Sequence, residues 1–149
     1  MSFGSGDEST HVCAFCDIVA GRALATIVAA DEHTVAFLDL RQFHPGHVLV
    51  IPREHVADIR VVDDRLAAAV MVTVARVARA VHKIFPADGL SVWHSAGAGA
   101  NQEVPHLHFH VHPRRAGDDL LRVYPSTPDC PDRMTLESLG KQLRSALGS

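Results

Sequence analysis

His106-Leu107-His108-Phe109-His110-Val111-His112 alternates histidine with an apolar residue without interruption. A period of two is that of a half-buried strand, whose side chains point to opposite faces in turn. The spacing predicts a strand over His106–His112. Leu107, Phe109 and Val111 would face a core, and the four histidines would line the other face, about 7 Å apart along the strand. A single buried histidine is ordinary packing, but four in register ask for another reason. Imidazole titrates near neutrality, ligates metals, and can attack phosphorus or accept a proton. The row therefore reads as an active-site wall or a metal site.

Working outward, the flanking sequence supplies a small domain of mixed class. Cys13 to Gly21 reads as a short helix with Gly21 as its terminating residue. Ile27–Ala30 and Val35–Leu38 read as strands joined at Asp31-Glu32-His33. His47–Ile51 is a third strand, stopped by Pro52. Asp63 and Asp64 can cap a long helix, and their charge suits its dipole. Leu66, Val70, Val74, Val77, Val81 and Ile84 give that helix one apolar face, and Pro86 ends it. Gly89–His94 is a fourth strand, followed by a Gly- and Ala-rich loop over residues 95–100. Leu136, Leu139, Leu143 and Leu147 space like a closing amphipathic helix. The expected fold is α+β: a five-stranded antiparallel sheet with helices on one side, a long one and short ones near each end. Residues 1–11 are small, polar and acidic, and disorder is expected there. The domain proper is expected over residues 12–115, with 116–149 an extension packed on it.

Composition narrows the function classes. At 149 residues the chain is one domain with room for one good core. A net charge of −3 and a pI near 6.4 do not suit a nucleic-acid backbone partner. No apolar run is long enough to span a bilayer. The first eight residues lack the basic and apolar regions of a signal peptide. Three cysteines do not suggest a disulfide framework. A reducing, cytoplasmic setting is expected, and no organic cofactor.

Further blocks accompany the histidine row: Phe37-Leu38-Asp39-Leu40, Gly46-His47-Val48-Leu49-Val50-Ile51-Pro52, Gln102-Glu103-Val104 and Pro113-Arg114. Together with the row they resemble the histidine triad (HIT) family, in particular its small bacterial nucleotide hydrolases. The resemblance runs from about Cys13 to Arg115. His112 stands where that family has an apolar residue. The resemblance implies the same α+β fold, a homodimer, and a purine nucleotide or nucleotide conjugate as the small-molecule partner. It implies that His108 attacks the α-phosphorus to form a nucleotidyl-histidine, its other ring nitrogen held by a backbone carbonyl. His106 is the first triad position. His110 and His47 match the histidines flanking the phosphate, where imidazole donors would stabilise charge on non-bridging oxygens. Asp39 matches the acid that holds the ribose hydroxyls. Phe15, Leu38 and Leu40 would border the base pocket, with Phe37 more simply core. His44 has no counterpart and is expected at the surface.

Two positions depart from the pattern. Ser95 stands where an amide is common. Glu103, next to Gln102, stands where a Ser or Thr often lies near the bridging oxygen. A carboxylate beside phosphate is repulsive unless protonated or turned away. Glu103 could instead meet a basic leaving group such as the amine of a phosphoramidate.

Cys13-x-x-Cys16 alone leaves a redox pair or two idle thiols open. With His55 and His106 it makes a tetrahedral zinc set of two thiolates and two imidazoles. The resemblance supplies those two histidines, since in related proteins a ligand follows the Ile-Pro strand end and the first triad histidine is the fourth. Such a zinc would be structural. Three readings of function follow: a hydrolase or transferase working through nucleotidyl-His108; a zinc-dependent hydrolase using His106 and His108 as a His-x-His pair; and a nucleotide-binding sensor with little turnover. Dinucleoside polyphosphates, nucleoside phosphoramidates and adenylated amino compounds all fit the first.

Overall fold

The computed structural model describes residues 13–148; the disorder expected over residues 1–11 lies outside them. Two compact units divide after Asp118. The first holds helix α1 (Ala14–Val19), strands β1 (Ile27–Ala30), β2 (Thr34–Leu38) and β3 (Val48–Pro52), helix α2 (Asp64–Ile84), strand β4 (Gly89–Trp93) and strand β5 (Phe109–Arg114). The five strands form one antiparallel sheet in the order β1-β2-β3-β5-β4. The β1–β2 turn is tied by Asp31, whose Oδ1 accepts from His33 N at 2.9 Å, Thr34 N at 2.8 Å and Thr34 Oγ1 at 3.0 Å.

Helix α2 begins where the acids predict: the Asp63 side chain accepts from Leu66 N. Its buried stripe of Val70, Val74, Val77 and Val81 packs on Ala36, Val48, Val50 and Val111. Each of these valines removes apolar surface worth about 1.5–3 kcal/mol from water. The opposite face of the sheet carries a second cluster: Cys13, Phe15, Val35, Phe37, Leu49 and Ile51. Strand alternation sorts the two, with Val48 and Val50 toward α2 and Leu49 and Ile51 away from it.

Here the structure corrects an expectation. The helices do not share one side, because α1 sends Phe15 into the second cluster, across the sheet from α2. A second correction concerns the histidine row. Ladder pairing of β5 starts at Phe109, not His106. Residues 106–108 are held instead by side chains and by Leu107 N, which donates to Val56 O at 2.6 Å.

The second unit, residues 119–148, contains helix α3 (Arg133–Leu147), capped by Asp132, whose Oδ1 accepts from Thr135 N at 2.8 Å. Its leucine stripe, Leu136, Leu139, Leu143 and Leu147, is exposed. Among the described residues no helix is long and apolar enough to cross a membrane.

Candidate active site and metal centre

Beside the second apolar cluster, the same sheet face carries imidazoles. His106, His108 and His112 are buried, as are His47 and Asp39. His108 Nδ1 donates to His106 O at 2.7 Å. That bond fixes the tautomer and leaves Nε2 as a bare lone pair. Burial pushes the His108 pKa down, so the ring is neutral at pH 7. The edge of Phe15 packs on it with centroids 5.1 Å apart, and His110 lies 5.1 Å away on another side.

His47 Nδ1 donates to Arg41 O at 3.2 Å. Its Nε2 then accepts from His110 Nδ1 at 2.9 Å. This pairing leaves His110 Nε2 unprotonated in the neutral state, so the pair must gain a proton before both rings can donate to an oxyanion. Burial, with the nearby His108 and His47, pushes His110 down to about 3. Burial also lowers His47, against the pull of Asp39. Trp93 stacks on His110 with centroids 4.5 Å apart and planes 7° from parallel.

The loop between β2 and β3 places Asp39 and His47, and Gln42 organises it. Gln42 Nε2 donates to Asp39 O at 2.7 Å and His47 O at 2.9 Å. Its Oε1 accepts from Gly46 N at 2.9 Å and His47 N at 3.1 Å. Gly46 has φ +116°, and a Cβ there would meet the Phe85 ring at 2.7 Å, so glycine suits both the backbone and the close packing of Phe85 just before His47. Arg41 N donates to Asp39 Oδ1 at 2.8 Å. The Arg41 guanidinium reaches Glu103, 3.4 Å to Oε1 and 3.0 Å to Oε2, and lies 3.6 Å from Asp39 Oδ1. The charges of Asp39 and Glu103 are both felt at His108, and that of Arg41 at His47 and His110.

The expected substrate-contacting residues Leu38, Leu40, Ser95 and Gln102 have settings of their own. Leu38 packs with the α2-side core and not with the histidines, because it is one residue out of phase with Phe37. Leu40 is almost fully exposed and Ser95 is half-buried. Gln102 ties two loops together: Oε1 accepts from Gly97 N at 2.8 Å in its own loop, and Nε2 donates to Ala57 O at 2.8 Å in the loop between β3 and α2. Phe37 is core, as expected.

Other residues do unforeseen work. His94 Nε2 accepts from Ile59 N at 3.2 Å and its Nδ1 donates to His108 O at 3.0 Å, pinning the peptide of the central histidine where the ladder does not. His44 is not a free surface residue, since its Nε2 donates to the buried Asp118 Oδ2 at 3.0 Å. Gln42 and Arg41 act largely through backbone groups, which no residue pattern announces. The Trp93–His110 stack follows from their direct pairing across β4 and β5.

The four candidate metal ligands come together. One donor atom each from Cys13, Cys16, His55 and His106 lies within 4.8 Å of the others. Cys16 Sγ is 3.2 Å from His55 Nδ1 and 3.6 Å from His106 Nδ1, and Cys13 Sγ is 3.5 Å from His106 Nδ1. Tetrahedral bonds of zinc length would set sulfur and nitrogen about 3.6 Å apart. His106 Nε2 donates to Pro52 O at 2.9 Å, which turns Nδ1 toward the thiols and fixes its tautomer. Without a cation, burial and then Cys13 raise the Cys16 thiol to about 11. Donor set and spacing both fit zinc.

Comparison with known proteins decides the family. A model of the HIT domain matches residues 20–117. The chain belongs to the HIT family. The crystal structure of a HIT family member from Bacillus subtilis superposes with a TM-score of 0.84 at 33% identity, covering 90% of this chain and 96% of that one. It confirms the HIT fold expected from the sequence. A zinc-bound histidine triad protein from Mycobacterium smegmatis is 38% identical, with a TM-score of 0.68, covering 91% and 97%. The adenosine 5'-monophosphoramidase hnt1 of Schizosaccharomyces pombe is 32% identical over 136 residues, 91% of this chain and 98% of that protein.

Proposed function

We propose that this HIT protein hydrolyses nucleotide conjugates at the α-phosphate, through a covalent nucleotidyl-histidine on His108. The observation that carries the reading is the His108 ring itself: Nδ1 donates to His106 O, which leaves Nε2 as a lone pair, and burial lowers the ring's pKa. Neutral imidazole needs no strong base to attack, and a covalent intermediate divides one hard displacement into two easier ones. His108 Nε2 bonds to phosphorus as the bond to the leaving group breaks. Where that group is an amine, its nitrogen takes a proton from solvent as it departs. Water then attacks the same phosphorus, displaces Nε2, returns a proton to solvent and releases the mononucleotide. The His47–His110 pair serves the non-bridging oxygens once it carries a proton, which an anionic phosphate favours. Asp39 accepts from the ribose hydroxyls, and Phe15 lies along the nucleotide.

The similarity to a monophosphoramidase favours phosphoramidates within this class. Turnover of adenosine 5'-monophosphoramidate to AMP, followed by chromatography, tests the reading. Absence of product from any phosphoramidate or dinucleoside polyphosphate would refute it and favour a binding protein.

In the same reading, Cys13, Cys16, His55 and His106 hold one zinc, which supplies rigidity and no open coordination position. It would tie α1 to the start of the triad segment, two residues before His108. Both His106 nitrogens are engaged, by the thiols and by Pro52 O, which weighs against His106 and His108 sharing a catalytic metal. The homodimer remains part of the proposal, with β4 as an edge strand that a second copy can cover.

A further inference from the structure

A second set of metal donors lies apart from the cysteine centre. One ligand atom each from Asp39, His47 and His110 lies within 4.8 Å of the others. Asp39 and His47 are buried and His110 is half-buried, so solvent reaches the set at His110. The fold holds all three side chains in place. The Arg41 carbonyl takes the His47 Nδ1 proton at 3.2 Å, which directs the Nε2 lone pair at His110 Nδ1, 2.9 Å away. A backbone acceptor on the far nitrogen is how metal-bound histidines are ordinarily oriented. Trp93 stacks flat on the His110 ring. Arg41 N holds Asp39 by Oδ1, and Oδ2 is turned to the His47 ring, 3.7 Å from Nδ1.

In the resting site one proton joins the two imidazoles, and a divalent ion can take its place. Metal–nitrogen bonds of zinc length at a tetrahedral angle set two nitrogens about 3.3 Å apart, so the rings need to part by only about 0.4 Å. The Nδ1 proton of His110 goes to solvent and the bare Nε2 takes one up, so the ring stays neutral. Burial lowers the pKa of both rings, and neither has to shed a charge to bind. Two imidazoles and a carboxylate suit zinc, cobalt or nickel, whereas magnesium and calcium take oxygen ligands. The set has no thiolate, and the Arg41 guanidinium lies 3.6 Å from Asp39 Oδ1, where it opposes a further cation. Both features make binding weaker here than at the cysteine centre.

We propose that Asp39, His47 and His110 form a regulatory site for a second zinc ion, which closes the catalytic pocket reversibly. The ion occupies the imidazole nitrogens and the carboxylate together, so nucleotide and metal exclude one another. The metal site rests on the donor geometry alone. Its inhibitory effect rests on the hydrolase reading above, in which the same atoms serve phosphate and ribose.

Protein carrying its first zinc is titrated with Zn2+ by calorimetry, near neutral pH in a buffer that does not bind metals. A second equivalent should bind, and dialysis that leaves the first in place should remove it. Mg2+ should give no binding heat. Co2+ added in place of the second zinc should show ligand-field bands without the charge-transfer absorption of a thiolate ligand. Asp39→Asn and His110→Gln should each weaken the second equivalent at least tenfold, with the retained first zinc reporting an intact fold. No second equivalent at millimolar Zn2+, or undiminished binding by both variants, would overturn the site. In the unaltered protein the second zinc should raise KM for an adenosine 5'-phosphoramidate at least tenfold, and dialysis should restore it. Unchanged KM with the second site filled would overturn the regulatory role. No turnover with that site emptied would overturn the hydrolase reading and leave the metal site standing.

Discussion

Gln42 touches no reacting atom, yet the geometry makes activity depend on it. Replacement by Met keeps the volume and removes four hydrogen bonds. The His47 carbonyl keeps its bond from Asp39 N at 3.1 Å, so that loss is small. The N–H groups of Gly46 and His47 fare worse. Both residues are buried, and each orphaned donor costs about 1–3 kcal/mol. Gln42 itself is exposed, so water can recover part of this. We expect Gln42→Met to destabilise the placed loop by about 2–3 kcal/mol and to lower kcat/KM for a phosphoramidate by roughly ten- to a hundredfold. Gln42→Glu keeps the acceptor for both N–H groups but turns its second oxygen onto the Asp39 and His47 carbonyls in place of the two donations. That repulsion should also lower kcat/KM below the native value. Steady-state kinetics on the three proteins, with thermal melts alongside, read this directly. Native-like kcat/KM in Gln42→Met would refute the clamp.

Cys13→Ser should abolish stoichiometric zinc and lower Tm by more than it weakens nucleotide binding, as measured by metal analysis, melting and calorimetry; zinc retained equally by the variant would show the ligand set to be wrong. The His110 pKa is depressed from 6.5 to about 3 in the fold, so between those values the unfolded chain binds more protons and stability falls as pH falls. His110→Gln should therefore flatten the decline of unfolding free energy between pH 6.5 and 4.5 by at most about 1.4 kcal/mol per pH unit, and an unchanged slope by urea titration would contradict the assignment. Val50→Ala, at the centre of the α2-side core, should cost roughly 2 kcal/mol in the same titration, with little change in KM.

The histidine row was legible because four imidazoles in alternation demand a shared face, and the structure puts His106, His108, His110 and His112 together. Its backbone was less legible. Alternation does not distinguish a paired strand from an extended segment held by its own side chains, as His106 and His108 hold theirs through Pro52 O and His106 O. Leu38 follows strand parity: with Phe37 in the α1-side cluster, Leu38 faces α2. Gln42, His94 and the Arg41–Glu103 pair were hidden because their partners are backbone groups or residues 62 positions away, and neither leaves a periodic trace. The zinc ligands were recoverable only as a set, since Cys13-x-x-Cys16 is ambiguous until His55 and His106 join it.

The central claim is that His108 carries the nucleotide. Rapid quenching of the protein during turnover of an α-³²P-labelled adenosine phosphoramidate, followed by peptide mapping under conditions that preserve phosphorus–nitrogen bonds, tests it most directly. Label on the peptide containing His108, lost in His108→Asn while nucleotide binding persists, is the predicted result. Label on a different residue, or turnover by His108→Asn within tenfold of the unaltered protein, would contradict the account.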